Sequence, residues 1–409
     1  MGLSRRTFLS TALAGGAAAA VGTACRSAAT GSPAAPAADG GPRYVPFAGV
    51  HQTGITQPGN EYGLMAAFTV TADDRHEVAA TFQAISGEIE QLMEGRPYDD
   101  RDPSYPAPYT GTVGNPPPPA DLSVVVSVGA SLFDERYGLA DRKPNDLVAM
   151  PFLTNDKLDP SRSHGDVLFT LTSAHEDVNL FALRQLMRAT RATMTLHWML
   201  DGYNRRTEAG PGEAGVRNLM GFVDGTANLR PDDATVMDRY VWVAADDAEP
   251  AWATGGSYHV VRVIRMFVEF WDRTALHEQE ALIGRQKSNG APLDGRRETD
   301  VPDFVADPDG KVTPLDAHIR LANPRTAATE PDVIFRKGIS FSRGFDAGGR
   351  LDQGLAFVSY QRRLSQFLNT QARLKGEPLE EYIQPQGGGF FFALPGAGNG
   401  SWLAQSLFA

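Results

Sequence analysis

Apolar positions along the chain follow two rhythms. Residues 62–70 (Y-G-L-M-A-A-F-T-V) read as a strand, whereas Val78, Phe82, Ile85, Ile89 and Leu92 recur at spacings of 4, 3, 4 and 3. The second rhythm places a single apolar stripe on a helix. Strand-like runs over 121–129 and 166–174 come next, then a second helix over 176–194 with Val178, Phe181, Leu186 and Met194 inside, then a short strand over 196–203. The order β-α-β-β-α-β is the ferredoxin-like plan. Between the first helix and the next strand, residues 102–119 hold seven prolines, which predicts an extended surface loop.

The second half follows the same grammar more loosely. Ser257 to Trp271 is a long β-branched and aromatic strand, 274–283 a short helix, and 355–360, 361–374 and 389–394 read strand, helix, strand. The expected fold class is α+β: two ferredoxin-like domains with antiparallel sheets, over 43–215 and 216–409, joined near 205–225.

The first 42 residues break this pattern. Ser4-Arg5-Arg6-Thr7-Phe8-Leu9 is followed by fourteen uncharged residues from Thr11 to Ala24. A bilayer span needs about 20 apolar residues, so this run is too short for an anchor, and twin Arg before it marks residues 1–25 as a twin-arginine export signal. Cys25 closes the run in Gly22-Thr23-Ala24-Cys25, where a lipoprotein signal places its acylated Cys, although the large aliphatic residue three before it is missing. Two outcomes stay open: a lipid anchor at Cys25 on the outer face of the cytoplasmic membrane, or cleavage near the alanines and secretion. Residues 26–42, rich in Ser, Ala, Gly and Pro, are a flexible linker in either case.

Composition narrows the chemistry. The 409 residues carry 38 Lys plus Arg against 49 Asp plus Glu, a net charge of −11, which argues against a nucleic-acid partner. The single Cys excludes an intrachain disulfide, a thiolate zinc site and a Cys-held iron–sulfur cluster, so metal chemistry must rest on His and carboxylates.

Three places interrupt the packing pattern. Gly221-Phe222-Val223-Asp224-Gly225-Thr226-Ala227-Asn228 lies at the join of the halves and reads, by itself, as a turn. Pro314 to Arg325 (P-L-D-A-H-I-R-L-A-N-P-R) reads as a short helix capped by Thr313 with Pro314 at its first position, which places His318 one turn in. A His among apolar neighbours is more often a packed core residue than a ligand. Phe335-Arg336-Lys337-Gly338 brings an Arg out of a buried Val-Ile-Phe run.

Together these segments resemble the dye-decolourising peroxidases, specifically the exported deferrochelatase/peroxidase branch. The resemblance rests on G-F-V-D-G-T-A-N at 221–228, I-G-R-Q-K-S-N-G-A-P-L at 283–293, D-A-H-I-R-L-A-N-P-R at 316–325, Arg336 and G-G-G-F-F-F-A-L-P-G at 387–396. With G-A-S-L-F-D-E-R at 129–136 and V-N-L-F-A-L-R at 178–184, it spans about 60–396. It implies one haem b per chain with His318 as axial iron ligand, an acidic partner for His318 at Glu380 or Glu381, Asp224 as acid–base residue and Arg336 as the charged donor beside it. Gly225, Thr226, Ala227, Asn323, Pro324 and Arg325 would hold the haem edge and its propionates, and Leu355 and Phe357 would narrow the open side.

The implied reaction reduces hydrogen peroxide and oxidises a dye-like or phenolic small organic donor by one-electron steps. Release of iron from haem, with iron-uptake partners, and a non-catalytic haem carrier are the alternatives; Asp224 and Arg336 together argue against a carrier. His164 and His175 read as loop residues, and Trp198, Trp242, Trp252, Trp271 and Trp402 as packing residues, any of which near the surface could relay electrons.

Overall fold

The strands of the computed structural model form one continuous antiparallel sheet that closes on itself. The structure describes residues 42–205 and 216–409; the segment expected to be an export signal, Cys25 and the expected linker up to residue 41 lie outside the described residues. In chain order the strands are β1 (Tyr62–Val70), β2 (Ser123–Gly129), β3 (Val167–Ser173), β4 (Met194–Tyr203), β5 (Ser257–Met266), β6 (Phe335–Arg336), β7 (Ile339–Phe345), β8 (Leu351–Gln361) and β9 (Ile383–Ala393). Their spatial order is β5-β9-β2-β3-β1-β4-β7-β8-β6, and β5 also pairs with β8. That last pairing joins the two ends and leaves only the two-residue β6 outside the ring. Closure removes the exposed edges that an open sheet would present.

The ring is sewn from both halves of the chain. One seam pairs Ser127, Val128 and Gly129 of β2 with Ala393, Phe392 and Phe391 of β9; the other pairs Tyr203 of β4 with Ser340 of β7. Inside it, Met65, Ala67, Val125, Leu168, Trp198 and Leu200 of the first half pack against Val261, Val263, Phe341, Ala356, Val358 and Phe391 of the second. Outside, the helices Arg75–Met93 and Glu176–Ala189 lay their apolar stripes on the first half, burying Val78, Phe82, Ile85, Ile89, Phe181 and Leu186. Asp74 caps the first helix by accepting the backbone N–H of Glu77.

Two glycines set how closely the second half packs. A Cβ on Gly354 would stand 1.9 Å from the carbonyl oxygen of Ile264, and one on Gly388 (φ +105°) would stand 2.1 Å from that of Val261. Both flank β5, so its neighbours on either side approach as only glycine permits.

Several expected boundaries move. The helix from Glu176 stops at Ala189, and Met194 opens β4 instead of closing the helix. β5 ends at Met266, where a short helix, Val268–Trp271, takes over. The helix of the His318 segment covers only His318–Ala322, with Ala317 in extended backbone at its start, so Thr313 is not its cap and His318 is its first residue. The Thr313 carbonyl instead accepts from Arg320, and its N–H donates to Asp307, which holds the loop before the helix closed.

His259 joins the seam between the halves. Its Nδ1 is hydrogen-bonded to Ser127 Oγ at 2.9 Å, its ring stacks on Tyr360, and its Nε2 is buried without a partner. Burial pushes its pKa down to about 3. The unfolded chain binds a proton at this His below about pH 6.5, whereas the native protein does not until much lower, so stability falls as pH drops through that window. The expected loss is about 2 kcal/mol between pH 6.5 and 4.5 from this group alone. His259→Gln should remove that component, and urea unfolding at the two pH values measures it.

Candidate functional site

His318 owes its place to two helices tied end to end. The carbonyls of Leu321 and Ala322, at the open C-terminal end of its short helix, accept from Arg373 of the helix Leu364–Leu374, at 3.2 Å each. That longer helix runs out at Leu374, Gly376 turns the chain with φ +77°, and Glu377 follows immediately. The Glu377 Oε2 lies 2.8 Å from His318 Nδ1, and only 4 % of the Glu377 side chain is open. Glu377, not Glu380 or Glu381, is therefore the acidic partner. Glu380 turns back to accept the N–H of Gly376, and Glu381 is exposed. The family-like P-L-E-E-Y run directed attention three residues too far along the chain, past the one carboxylate that the turn buries.

The carboxylate settles the state of the ring. Burial by itself would lower the imidazole pKa, but the neighbouring Glu377 charge and hydrogen bond outweigh it and hold the pKa above its ordinary value. With Nδ1 donating to Glu377, Nε2 has no protein partner among the described residues. The ring lies deep in the fold, yet 34 % of its side-chain surface is open, so Nε2 faces space and not packed atoms. Asp224 and Arg336 are both near enough to bias the ring, the first favouring its charged form and the second opposing it. Three of the residues expected from sequence are thus near enough for their charges to act on one another.

The 216–228 segment is a tight double-backed loop. Asp224 donates its backbone N–H to the Val216 carbonyl, and Asn218 donates its own to that of Phe222. Gly221, Gly225 and Ala227 all have positive φ, and for Ala227, at 57°, this is strained backbone held by its surroundings. Asn228 supplies the hold: its Nδ2 donates to the Arg336 carbonyl at 2.7 Å and its Oδ1 accepts the Arg336 N–H at 2.9 Å. Arg336 Nη2 adds a bond to the Thr226 carbonyl at 2.8 Å. Asp224 Oδ1 accepts the Gly225 N–H, and Oδ2 is left without a hydrogen bond among the described residues. Asp224 and Arg336 make no ion pair with each other, so the carboxylate oxygen and the remaining guanidinium donors both stay available.

Two residues that sequence reasoning left unassigned complete this side. Thr226 Oγ1 donates to Glu298, and the buried Arg285 donates to the carbonyls of Gly290 and Glu298. Burial and the nearby Arg325 and Arg336 depress the Arg285 pKa. Three guanidiniums thus converge on one region, an arrangement that favours anionic groups. Arg285 lies within the I-G-R-Q-K-S motif, which was the signal available for it. Arg325 has φ +60°; its N–H is fixed by Asn323 Oδ1, and its side chain makes no hydrogen bond to the described residues. Pro324 stiffens this turn.

The apolar side of the site is a separate small cluster. Met220, Phe222, Met266, Val268, Trp271, Leu379 and Tyr382 are buried together, with Leu355, Leu282 and Ile283 partly buried against them. It joins the Asp224 loop to the chain that follows Glu377. Leu355 and Phe357 alternate on one face of β8 as expected, but they divide: Leu355 packs on this cluster beside Gly338, while Phe357 packs against Phe367 in the larger core.

Comparison with known proteins agrees with this geometry. Residues 52–204 match the family described as Dyp-type peroxidase, N-terminal, and residues 215–398 match Dyp-type peroxidase, C-terminal. A protein named Deferrochelatase from Escherichia coli (strain K12) is 44 % identical over 354 residues, which cover 86 % of this chain and 84 % of that protein. Ferric DtpA from Streptomyces lividans superposes with a TM-score of 0.80 at 35 % identity, covering 92 % of this chain and 100 % of that one. A DyP-type peroxidase from Streptomyces coelicolor gives 0.79 at 34 % identity, covering 90 % and 98 %. A His318–Glu377 pair with Asp224 and Arg336 close enough to act on its charge, on a fold matched along both halves, is thus found in a chain that belongs to the Dyp-type peroxidase family of haem enzymes.

Proposed function

We propose that this protein is an exported peroxidase that holds one haem b per chain through His318, reduces hydrogen peroxide and oxidises dye-like or phenolic donors one electron at a time. The observation that carries the reading is the unpartnered His318 Nε2, with an Asp224 and an Arg336 that make no ion pair near enough to act on the ring. The donor set suits haem: an imidazole fixed at Nδ1 by a carboxylate, with Nε2 left for the iron, Arg285 with Arg325 and Arg336 nearby for propionates, and the partly buried Leu355, Leu282 and Ile283 for the ring. Gly225 leaves its flank open, since a Cβ there would meet nothing within 4 Å. When bound, haem supplies an iron that peroxide oxidises and two single-electron donations restore.

The protein's own part is proton handling and charge. Asp224 Oδ2 accepts a proton from peroxide and returns it to the departing oxygen, which leaves as water. The free Arg336 donors, on a guanidinium oriented by Thr226 and Asn228, stabilise negative charge as the O–O bond breaks. Glu377 keeps the imidazole oriented and electron-rich throughout.

The relatives named Deferrochelatase favour a second reading, release of iron from haem for an uptake system. Incubating the protein with haem, with and without peroxide, and measuring free iron and intact porphyrin separates the two. The export signal and the choice between lipidation at Cys25 and secretion are part of the proposal; mass spectrometry of the mature N-terminus decides that choice.

Two substitutions test the assigned roles in haem-loaded protein. Arg336→Leu should retain haem while slowing the first spectral change after mixing with peroxide by about 10²–10³-fold. Asp224→Asn should slow the same step by about 10²-fold or more, again with haem retained. Stopped-flow absorbance measures both, and unchanged rates would remove the residue concerned from the reaction.

A further inference from the structure

At one mouth of the barrel, the end of β5, the β7–β8 hairpin and the start of β9 surround a cavity of about 580 Å³. None of the candidate haem-site residues lines it. Its volume falls in the range that encloses a small organic molecule.

The polar groups around the cavity are unbalanced. Its carboxylates are already satisfied by the protein: Asp346 accepts from the N–H groups of Gly348 and Arg350 and from Arg265, Asp352 accepts from Arg343, and Asp159 accepts from Ser161. Its arginines each pair with one of these carboxylates, Arg162 with Asp159 at 3.7 Å among them, yet keep donors to spare, and Lys157 has no such partner among the described residues. Arg265, only 8 % exposed, donates through Nη2 alone, to Asp346 and the Leu351 carbonyl, and its Nε is buried without a partner. Arg343 repeats this, with Nη2 on Asp352 and Nε unpartnered. The Nη1 atoms of both, and Lys157 Nζ, have no hydrogen bond among the described residues. Burial holds the Arg343 pKa below its ordinary value, and the like charges of Arg162 and Arg265 add to this. In a chain of net charge −11, this cavity keeps a surplus of cationic donors.

Phe345 stands beside that surplus. It lines the cavity at the hairpin and is 76 % exposed, a large apolar surface that the fold leaves uncovered. Aromatic rings and guanidinium planes stack readily, and Arg343 already lies 4.7 Å over the Phe341 ring.

We infer that this cavity binds a small aromatic anion, an aryl carboxylate or sulfonate, whose acidic group takes the free donors of Arg265, Arg343 and Lys157 and whose ring lies against Phe345. Two converging guanidiniums recognise a trigonal or tetrahedral oxyanion better than ammonium groups alone. Binding needs no turnover, so the site stands or falls separately from the peroxidase reading.

Titration calorimetry of the haem-loaded full chain with naphthalene-2-sulfonate, without peroxide, tests the proposal. One saturable site per chain is expected, weakened about tenfold or more by Arg343→Gln, the loss of a charge-assisted hydrogen bond. Lys157→Gln, which removes no hydrogen bond of the fold, and Phe345→Ala should each weaken it several-fold, and Asp224→Asn should leave it unchanged. Absence of saturable binding would overturn the proposal. So would affinity indifferent to Lys157→Gln and Phe345→Ala, or affinity lost in Asp224→Asn, which would place the ligand at the haem site. Equal affinity for inorganic sulfate would overturn the aromatic part and leave an oxyanion site alone.

Discussion

Glu377 accepts the Nδ1 proton of His318, and the rest of the site depends on which nitrogen that leaves free. A carboxylate with 4 % of its side chain open needs a partner, because an unpaired buried charge costs several kcal/mol. The imidazole is that partner, and the bond in turn orients the ring and leaves Nε2 toward open space. Neither residue would serve alone: His318 without Glu377 could rotate, and Glu377 without His318 would be a buried carboxylate with no partner.

The barrel makes that bond and its opposite wall part of one frame. β8 carries Leu355 and pairs with β6, so Arg336 is fixed to the sheet by backbone ladder bonds. Asn228 then clips the strained 225–227 segment to the same strand, so the sheet anchors the loop whose own Asp224–Val216 backbone bond places Asp224. On the other side, Arg373 ties the His318 helix to the helix that delivers Glu377. Acid, guanidinium and imidazole come from three distant stretches of chain, yet each stretch has its backbone tied to another part of the fold.

Much of this was legible in the sequence, for reasons that differ by residue. Strand and helix rhythms placed β1 and the helix Arg75–Met93 within a few residues, because each buries one regular face. β7 was not read: Ile339-Ser340-Phe341-Ser342-Arg343 alternates correctly, but only over five residues between Gly338 and Gly344. Asp224, His318 and Arg336 were found through long ordered motifs, and the structure brings them together. Glu377 was missed because the burial of a carboxylate depends on the turn at Gly376 and on the packing above it, which no local pattern encodes. Arg285 and Asn228 lie inside recognised motifs, but their work consists of bonds to backbone, of Gly290 and Glu298 for Arg285 and of the distant Arg336 for Asn228, which motif spacing does not encode. Phe357 shows the opposite limit, since alternation along a strand gives its face but not which cluster that face meets.

The central claim is that Glu377 sets the character of His318 as an iron ligand. Resonance Raman spectroscopy of the reduced, haem-loaded protein tests it through the iron–histidine stretch, which rises as the imidazole gains anionic character. The account predicts a five-coordinate haem with a high stretching frequency in the wild type and a clear downward shift in Glu377→Gln, with haem still bound. An unchanged frequency in Glu377→Gln, or a wild-type haem with no histidine stretch that depends on His318, would contradict it.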